Sequence, residues 1–482
     1  MVLGGSDLGL WIMGLMVILY GFGLWNAIHA VMNIRTPQGA IAWSLALIAF
    51  PWIALPLYWL LGRWQFQGYV AAFHQVYQQR QHEVHRGYQE LLDYLQPPGD
   101  PWTGLHRLAQ SLTEISFTRD NGVQLLCNGE QTFAAMLAAI STAQDYIFLE
   151  TYILRNDCTG MRFQQALIKQ AQRGVQVYLL CDALGSIRLP RSYLKTLQRQ
   201  GVHVAAFRST RSWRDRFQMN FRNHRKILII DGKTGFAGGL NLGDEYLGKV
   251  PRFGAWRDTH LQLWGPAVQS LQLAFLKDWY WSRGKMPAAQ WQVQTPSPSG
   301  NHTALVFPTG PVNPIDDCTY FFSYIIHTAQ HRLWIASPYF VPNESILTAL
   351  KTAALRGVEV RILLPAKADH LLVYLSSFSY YREMQQAGIS LYRYEPGFMH
   401  QKVLLVDDAM AAVGTVNLDY RSFRLNFEVT VFVINSTFVQ EVEAMFIQDF
   451  AQSHPVDYQQ YQQCWIGFKV AVSVARLLAP LQ

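Results

Sequence analysis

The chain has 482 residues, half of them hydrophobic and 15% charged, with a formal net charge of +7. At about 100–200 residues per domain this length allows several domains, and a charged share well under the usual ~25% excludes a disordered chain and a densely basic nucleic-acid binder. The deficit is local: residues 1–62 carry one acid, Asp7, and one base, Arg35, so an apolar segment precedes an otherwise ordinary globular part.

In chain order, residues 8–34 hold no formally charged side chain, and residues 39–61 form a second such run. About 20 apolar residues cross a bilayer as a helix. Two spans joined by the loop NIRTPQ are therefore predicted, a transmembrane hairpin over residues 1–63. A cleaved signal peptide is the rival reading of the first run, but it lacks a basic start and a small-residue cleavage site. Asn26 and His29 are expected at a headgroup or bonded to the neighbouring helix. Arg35, Arg63 and Arg80 lean toward a cytoplasmic globular part. The five cysteines, Cys127, Cys158, Cys181, Cys318 and Cys464, stand singly. That argues against a disulfide framework or zinc site and fits a reducing compartment. Cys158 and Cys181 read as small core residues.

Residues 64–101 read as a connecting segment, helical to Leu95 and closed by QPPGDP. An internal repeat follows. DYIFLETYIL (145–154) resembles HRLWIASPYFVP (331–342), and FQQALIKQAQRGVQVYLLCD (163–182) resembles LTALKTAALRGVEVRILLPA (347–366). LQRQGVHVAAFR (197–208) resembles MQQAGISLYRYE (384–395). Tyr152 matches Tyr339, Arg173 matches Arg356 and Gly201 matches Gly388 at near-constant offsets, as a duplication requires. Strands alternating with amphipathic helices predict an α/β layered domain in each copy. The first is set at 102–295 and the second at 296–463, meeting at the Ser/Pro/Gly-rich QTPSPSGNH.

Each copy continues into the same motif. The first reads HRKILIID from His224 to Asp231, then Gly238 and Asn241 in GGLN. The second reads HQKVLLVD from His400 to Asp407, then Gly414, Thr415 and Asn417 in GTVN. His and Lys two residues apart point to one face of an extended chain. The apolar run then enters the core, which places Asp231 and Asp407 at its far end, satisfying loop amides or an arginine. Imidazole, ammonium and carboxamide converging suit a phosphodiester, with Lys226, Lys402, Asn241 and Asn417 on its oxygens and one histidine attacking phosphorus. The 14 histidines form no HExxH-type pair, so no metal and no cofactor is expected. The stretch 208–226 holds Arg208, Arg211, Arg214, Arg216, Arg222 and Arg225 and is read as binding anionic headgroups. Residues 464–482 are charged only at Lys469 and Arg476, which share a helical face with Ser473, and read as an amphipathic interfacial helix or one packed on the second domain.

HxKxxxxD with the GxxN that follows, in duplicate, resembles the phospholipase D superfamily. The flanking RNHRKILIIDG, GGLNLGDEY, WRDTHLQLWGPAV, SPYFVP, PGFMHQK and NLDYRSFRLNFE resemble bacterial cardiolipin synthases with an N-terminal membrane hairpin. The resemblance extends over nearly the whole chain. It departs at Gln401, where alanine is usual, and at Thr415, where serine is usual and which keeps the hydroxyl. It implies two tandem α-β-α sandwich domains related by a pseudo-two-fold, preceded by two transmembrane helices, with one site between them. It counts His224, Lys226, Asp231, His400, Lys402 and Asp407 as the catalytic set, with His224 as nucleophile and His400 as acid and base. It adds Asp258 and Glu428 as acids accepting from the histidines, and Asn241, Asn417 and Thr415 as phosphate-binding. The implied reaction condenses two phosphatidylglycerols to cardiolipin and glycerol through a phosphatidyl-histidine. The implied partners are phosphatidylglycerol, other anionic phospholipids and the bilayer, with no nucleic acid. The implied place is the bacterial inner membrane, with the catalytic part facing the cytoplasm.

Overall fold

The computed structural model describes residues 5–34, 36–62, 69, 91–113, 115–208, 220–291, 293, 300–312 and 315–479. Most of the connecting segment, Arg211, Arg214 and Arg216, and most of the linker near residue 295 lie outside these described residues. The chain divides into two compact units, residues 1–68 with 208–221, and residues 69–207 with 222–482.

The first unit is built on the helix Gly5–Asn33, whose stretch Gly9–Asn33 is long and apolar enough to cross a membrane. The second apolar run is not one continuous helix. It forms two short helices, Pro37–Ala49 and Pro51–Leu61. Pro51 lacks an N–H and drives the residue before it out of the helical region. Phe50 accordingly sits at φ −136°, ψ 60°, and the chain turns there. The two short helices pair antiparallel, with the Trp43 and Tyr58 rings 5.2 Å apart. The second then runs alongside the long helix in the same direction. Trp52 lies 6.2 Å from Tyr20, Trp59 Nε1 donates to Asn26 Oδ1 at 2.9 Å, and Tyr58 pairs with His29 Nδ1 at 2.7 Å. Two straight antiparallel spans would instead set Tyr58 near the start of the first helix. Gly23 permits the close approach, since a Cβ there would come within 2.5 Å of the Leu47 carbonyl oxygen. Asn26 and His29 thus bond to a neighbouring helix, as expected.

The second unit is one continuous mixed sheet. From one edge inward run His203–Phe207, Gln176–Asp182 and Tyr146–Thr151, parallel, then Ile227–Ile230, Thr234–Gly238, Thr259–Trp264 and Thr118–Cys127, antiparallel. The other half repeats this order with Ser390–Tyr394, Glu359–Pro365, Arg332–Ala336, Val403–Val406, Met410–Gly414, Asn426–Ile434 and His302–Thr309. Thr118–Cys127 and His302–Thr309 pair antiparallel and join the halves. Strands covered on both faces read as unbroken apolar runs. Ile147 and Leu149 pack with Phe133, Phe163 and Leu167 on one face, while Phe148 stacks on Phe275 at 4.7 Å on the other.

The helix Thr103–Thr113, expected to open the first half, lies instead on the second. Trp102, Leu105, Ala109 and Phe117 share a core with Phe321, Ile325 and Phe340. Cys181 is buried, but Cys158 is exposed at a helix start.

Candidate active site

Each motif histidine is reached by a short strand that crosses to the other half. Arg222–Asn223 pairs in parallel with Asn426 and Phe427, and Gly397–Met399 pairs in parallel with Ala255–Arg257. The next amide continues each crossing: His224 N–H donates to the Phe427 carbonyl at 2.9 Å and His400 N–H to the Arg257 carbonyl at 2.8 Å. Each histidine therefore lies beside the acid of the opposite half. His224 Nδ1 is 2.8 Å from Glu428 Oε2, and His400 Nδ1 is 2.7 Å from Asp258 Oδ2. Both acids are fully buried. With Nδ1 carrying the proton toward the carboxylate, Nε2 keeps its lone pair.

The lysines close the constellation. Lys226 Nζ donates to the His224 carbonyl at 2.6 Å, and Lys402 Nζ to the His400 carbonyl at 2.5 Å. Lys226 also sits over the Tyr152 ring, whose edge-on contact with the His224 ring is 5.1 Å between centroids. His400 rests against Trp256, 5.3 Å away, and Phe398.

Burial dominates the electrostatics. It pulls His224 down to about 4 against the opposing pull of Glu428, and it pulls His400 down to about 4 with help from Lys402. Burial also brings Lys402 down to about 8, and takes Lys226 well below the usual lysine value with Lys402 adding to the fall. Burial alone would raise Asp258 and Glu428, but the paired histidines outweigh it and hold both acids below the ordinary carboxylate range. An incoming phosphodiester adds negative charge among these groups and favours the protonated form of all four bases.

Asp231 and Asp407 do not join this set. Each sits in a hairpin turn at the far end of the apolar strand, at φ 53° and φ 50°, a left-handed conformation that aspartate tolerates. Asp231 accepts the N–H groups of Gln144, Asp145 and Tyr146 at 2.8–2.9 Å, and Asp407 accepts those of Gln330, His331 and Arg332. They pin the start of the neighbouring strand, which corrects their place in the catalytic set and bears out the loop-amide reading. Asn241 accepts from Ile153 N–H at 3.0 Å and donates to Tyr246 at 2.9 Å. Asn417 donates to Asp419, and its Oδ1 is buried without a hydrogen-bond partner. The Thr415 hydroxyl, expected at a phosphate, is fully buried behind Glu428, where it accepts from Val429 N–H at 2.9 Å. Gly239 stands at the matching place of the first half, where a Cβ would fall 2.0 Å from Asp258 Oδ1.

The residue between His and Lys was noted only as a departure at Gln401, yet both copies are structural links. Arg225 donates to Asp278 at 2.6 Å, to the Glu428 carbonyl at 3.0 Å and to the Thr309 carbonyl at 3.0 Å. It is core, not headgroup-binding, which corrects that part of the Arg-rich reading. Gln401 donates to Asp449 at 2.7 Å and accepts from the Thr259 hydroxyl at 2.8 Å. Asp449 also holds Arg257 through two bonds of 2.7 and 3.0 Å. Asp278 and Asp449 were missed. Their matching places beyond Asp258 and Glu428 in the repeat are the signal that finds them. Among the described residues, no group of three His, Cys, Asp or Glu side chains gathers as a metal set.

Comparison with known proteins gives the family. The family description "Cardiolipin synthase, PLD-like domain" matches residues 136–251 and 323–450. Cardiolipin synthase A of Pseudomonas putida (strain GB-1) is 40% identical over 479 residues, covering 97% of this chain and 98% of that one. Cardiolipin synthase A of Pseudomonas aeruginosa (strain LESB58) is 42% identical over 483 residues, covering 98% and 96%. The crystal structure of phosphatidylserine synthase from Haemophilus influenzae Rd KW20 superposes with a TM-score of 0.61 at 13% identity, over 79% of this chain and 100% of that one, a likeness of fold.

Proposed function

The chain belongs to the cardiolipin synthase family of phospholipase D-like enzymes, and from that premise we propose that it condenses two phosphatidylglycerols to cardiolipin and glycerol. The observation that carries this reading is the crossed pairing of His224 with Glu428 and His400 with Asp258, flanked by two buried lysines. The two halves, related by a pseudo-two-fold, meet at this one site.

In the first step His224 Nε2 attacks the phosphorus of a bound phosphatidylglycerol. A P–N bond forms, the bond to the terminal glycerol oxygen breaks, and His400 gives that oxygen its proton. In the second step His400 takes the proton from the glycerol hydroxyl of another phosphatidylglycerol. That oxygen attacks phosphorus, the P–N bond breaks, and cardiolipin leaves. Lys226 and Lys402 neutralise the phosphoryl oxygens as charge builds, and the Asn241 and Asn417 amides donate hydrogen bonds to them. Glu428 and Asp258 hold each ring in the right tautomer and steady its positive charge. Burial lowers both lysines despite the two carboxylates beside them, and a bound phosphodiester adds the further negative charge that favours their protonated form.

The enzyme works at the bacterial inner membrane, crossing it once through Gly9–Asn33. The doubled-back pair Pro37–Ala49 and Pro51–Leu61 enters and leaves on one face, so its two ends, Thr36 and Gly62, fall on the same side. The bases that flank the pair in the sequence then count together toward a cytoplasmic catalytic part. The test is product analysis of the full chain in phosphatidylglycerol vesicles. Cardiolipin and glycerol should form together, and added glycerol should reverse the reaction. Phosphatidic acid as the main product would replace this reading with hydrolysis.

A further inference from the structure

We infer that the helix Ile466–Leu477 is a lipid-docking surface, lying along the bilayer that supplies the substrates. Its inner face is fixed to the second half. Val472, Ala475 and Ala479 are buried, and the Phe468 ring meets Phe378 edge-on at 5.3 Å. These recur at helical spacing, which accounts for one stripe of the helix. The opposite stripe is apolar as well. Ile466, Val470, Val474 and Leu477 are 74, 55, 52 and 79% exposed, and Trp465 at the helix start is 74% exposed. On the adjoining helix Leu371–Phe378, Leu371 and Leu372 are exposed too. A helix with one packed stripe ordinarily turns polar side chains outward. Here the outward stripe has large apolar side chains, with Lys469, Ser473 and Arg476 along one edge.

Charge and area choose the occupant. Between residues 458 and 482 the charged side chains in the sequence are Lys469 and Arg476, two cations that complement an anionic lipid surface. Aliphatic side chains with a tryptophan at one end and bases along one edge form the pattern of a helix lying in an interface. A second copy of the chain is a poorer fit. The helix has 12 residues, so one face is about 18 Å long and about 10 Å wide. That is under about 200 Å², against roughly 800 Å² per partner in a specific protein interface. A bilayer needs no matching surface. This inference rests on the lipid-synthase reading only for the kind of membrane the protein meets.

The test uses the full chain in vesicles of equal parts phosphatidylglycerol and phosphatidylcholine, with Cys127, Cys158 and Cys464 replaced by serine and the buried Cys181 and Cys318 kept. An environment-sensitive fluorophore is placed at Val470→Cys or Val474→Cys, and at Lys195→Cys as a control. The expected result is blue-shifted emission at 470 and 474, quenched by nitroxides on lipid acyl chains, with neither effect at 195. Lys469→Gln with Arg476→Gln should reduce the quenching. Water-like emission at both positions in these vesicles would overturn the inference. So would a blue shift that grows with protein density and is not quenched by nitroxide lipid, which marks a second copy. Cardiolipin formation is read on the same samples. Turnover without protection sinks the docking surface alone, and protection without turnover sinks the enzymatic reading alone.

Discussion

Two histidines held at about 4 and a lysine held at about 8 set the range in which this site can begin a reaction. His224 protonated at Nε2 has no lone pair for phosphorus, and His400 must bring the proton that the leaving oxygen takes, so kcat/KM should fall as pH drops through about 4 and decline above it as His400 of the free enzyme loses its proton. Lys402 loses its charge on deprotonation, so a steeper alkaline limb should begin as pH rises through about 8. In Lys402→Arg the guanidinium keeps its charge, and the alkaline limb should move up even if the maximum rate falls. An alkaline limb left in place would remove Lys402 from the anion-binding role. Glu428→Gln takes away the charge that supports protonation of His224, so the acid limb should move lower. The rate should fall about 10³–10⁴-fold, the scale for neutralising an acid that orients a histidine. The identities of His224, His400, Lys226 and Lys402 were legible because chemistry fixes their type and spacing. Their protonation was not, because it comes from burial that no spacing encodes.

At the scale of elements, Asp449 ties the helix Ser436–Ala451 to both crossing strands through Arg257 and Gln401. Removing it leaves a buried guanidinium without its anion. Asp449→Ala should therefore destabilise the fold by about 3–5 kcal/mol, read as a shift in the urea midpoint. Adding Arg257→Met should recover most of the loss. A change under about 1 kcal/mol in the single variant would show that the pair is not buried as described. The N-terminal helices make a separate prediction. Cysteines at Ser6, Arg35 and Gly62, each alone, can be probed with a reagent that does not cross the membrane. Ser6 should react from one face, and Arg35 and Gly62 from the other. If Ser6 and Gly62 share a face and Arg35 does not, the chain crosses twice. The length and apolarity of 39–61 made it read as one span. Only the turn at Phe50–Pro51 and the contacts of Tyr58 and Trp59 show that it doubles back.

At the scale of the whole molecule, the site is shared between halves of a single chain. Neither half holds a complete histidine–acid pair, since His224 takes Glu428 and His400 takes Asp258. His224→Ala and His400→Ala should each abolish turnover, and mixing the two variant proteins should restore none of it. Recovered activity in the mixture would mean that sites assemble between chains, each contributing one intact half.

By itself the sequence determined the repeat, the two motifs, the order of strands and helices in each half, and the chemistry of a phosphodiester site. These are local matters of residue type, spacing and periodicity. It also placed Asp231 and Asp407 at the ends of their strands, because an apolar run of fixed length must bury before the chain can turn. Tertiary structure alone decided which acid serves which histidine. Asp258 and Glu428 are equivalent in the repeat, and only the crossing strands Arg222–Asn223 and Gly397–Met399 exchange them between halves. Tertiary structure likewise placed Thr103–Thr113 on the second half, turned Arg225 into the core and folded the second apolar run back on itself. In each case the deciding partner lies far away in sequence, and the energy comes from burial against it.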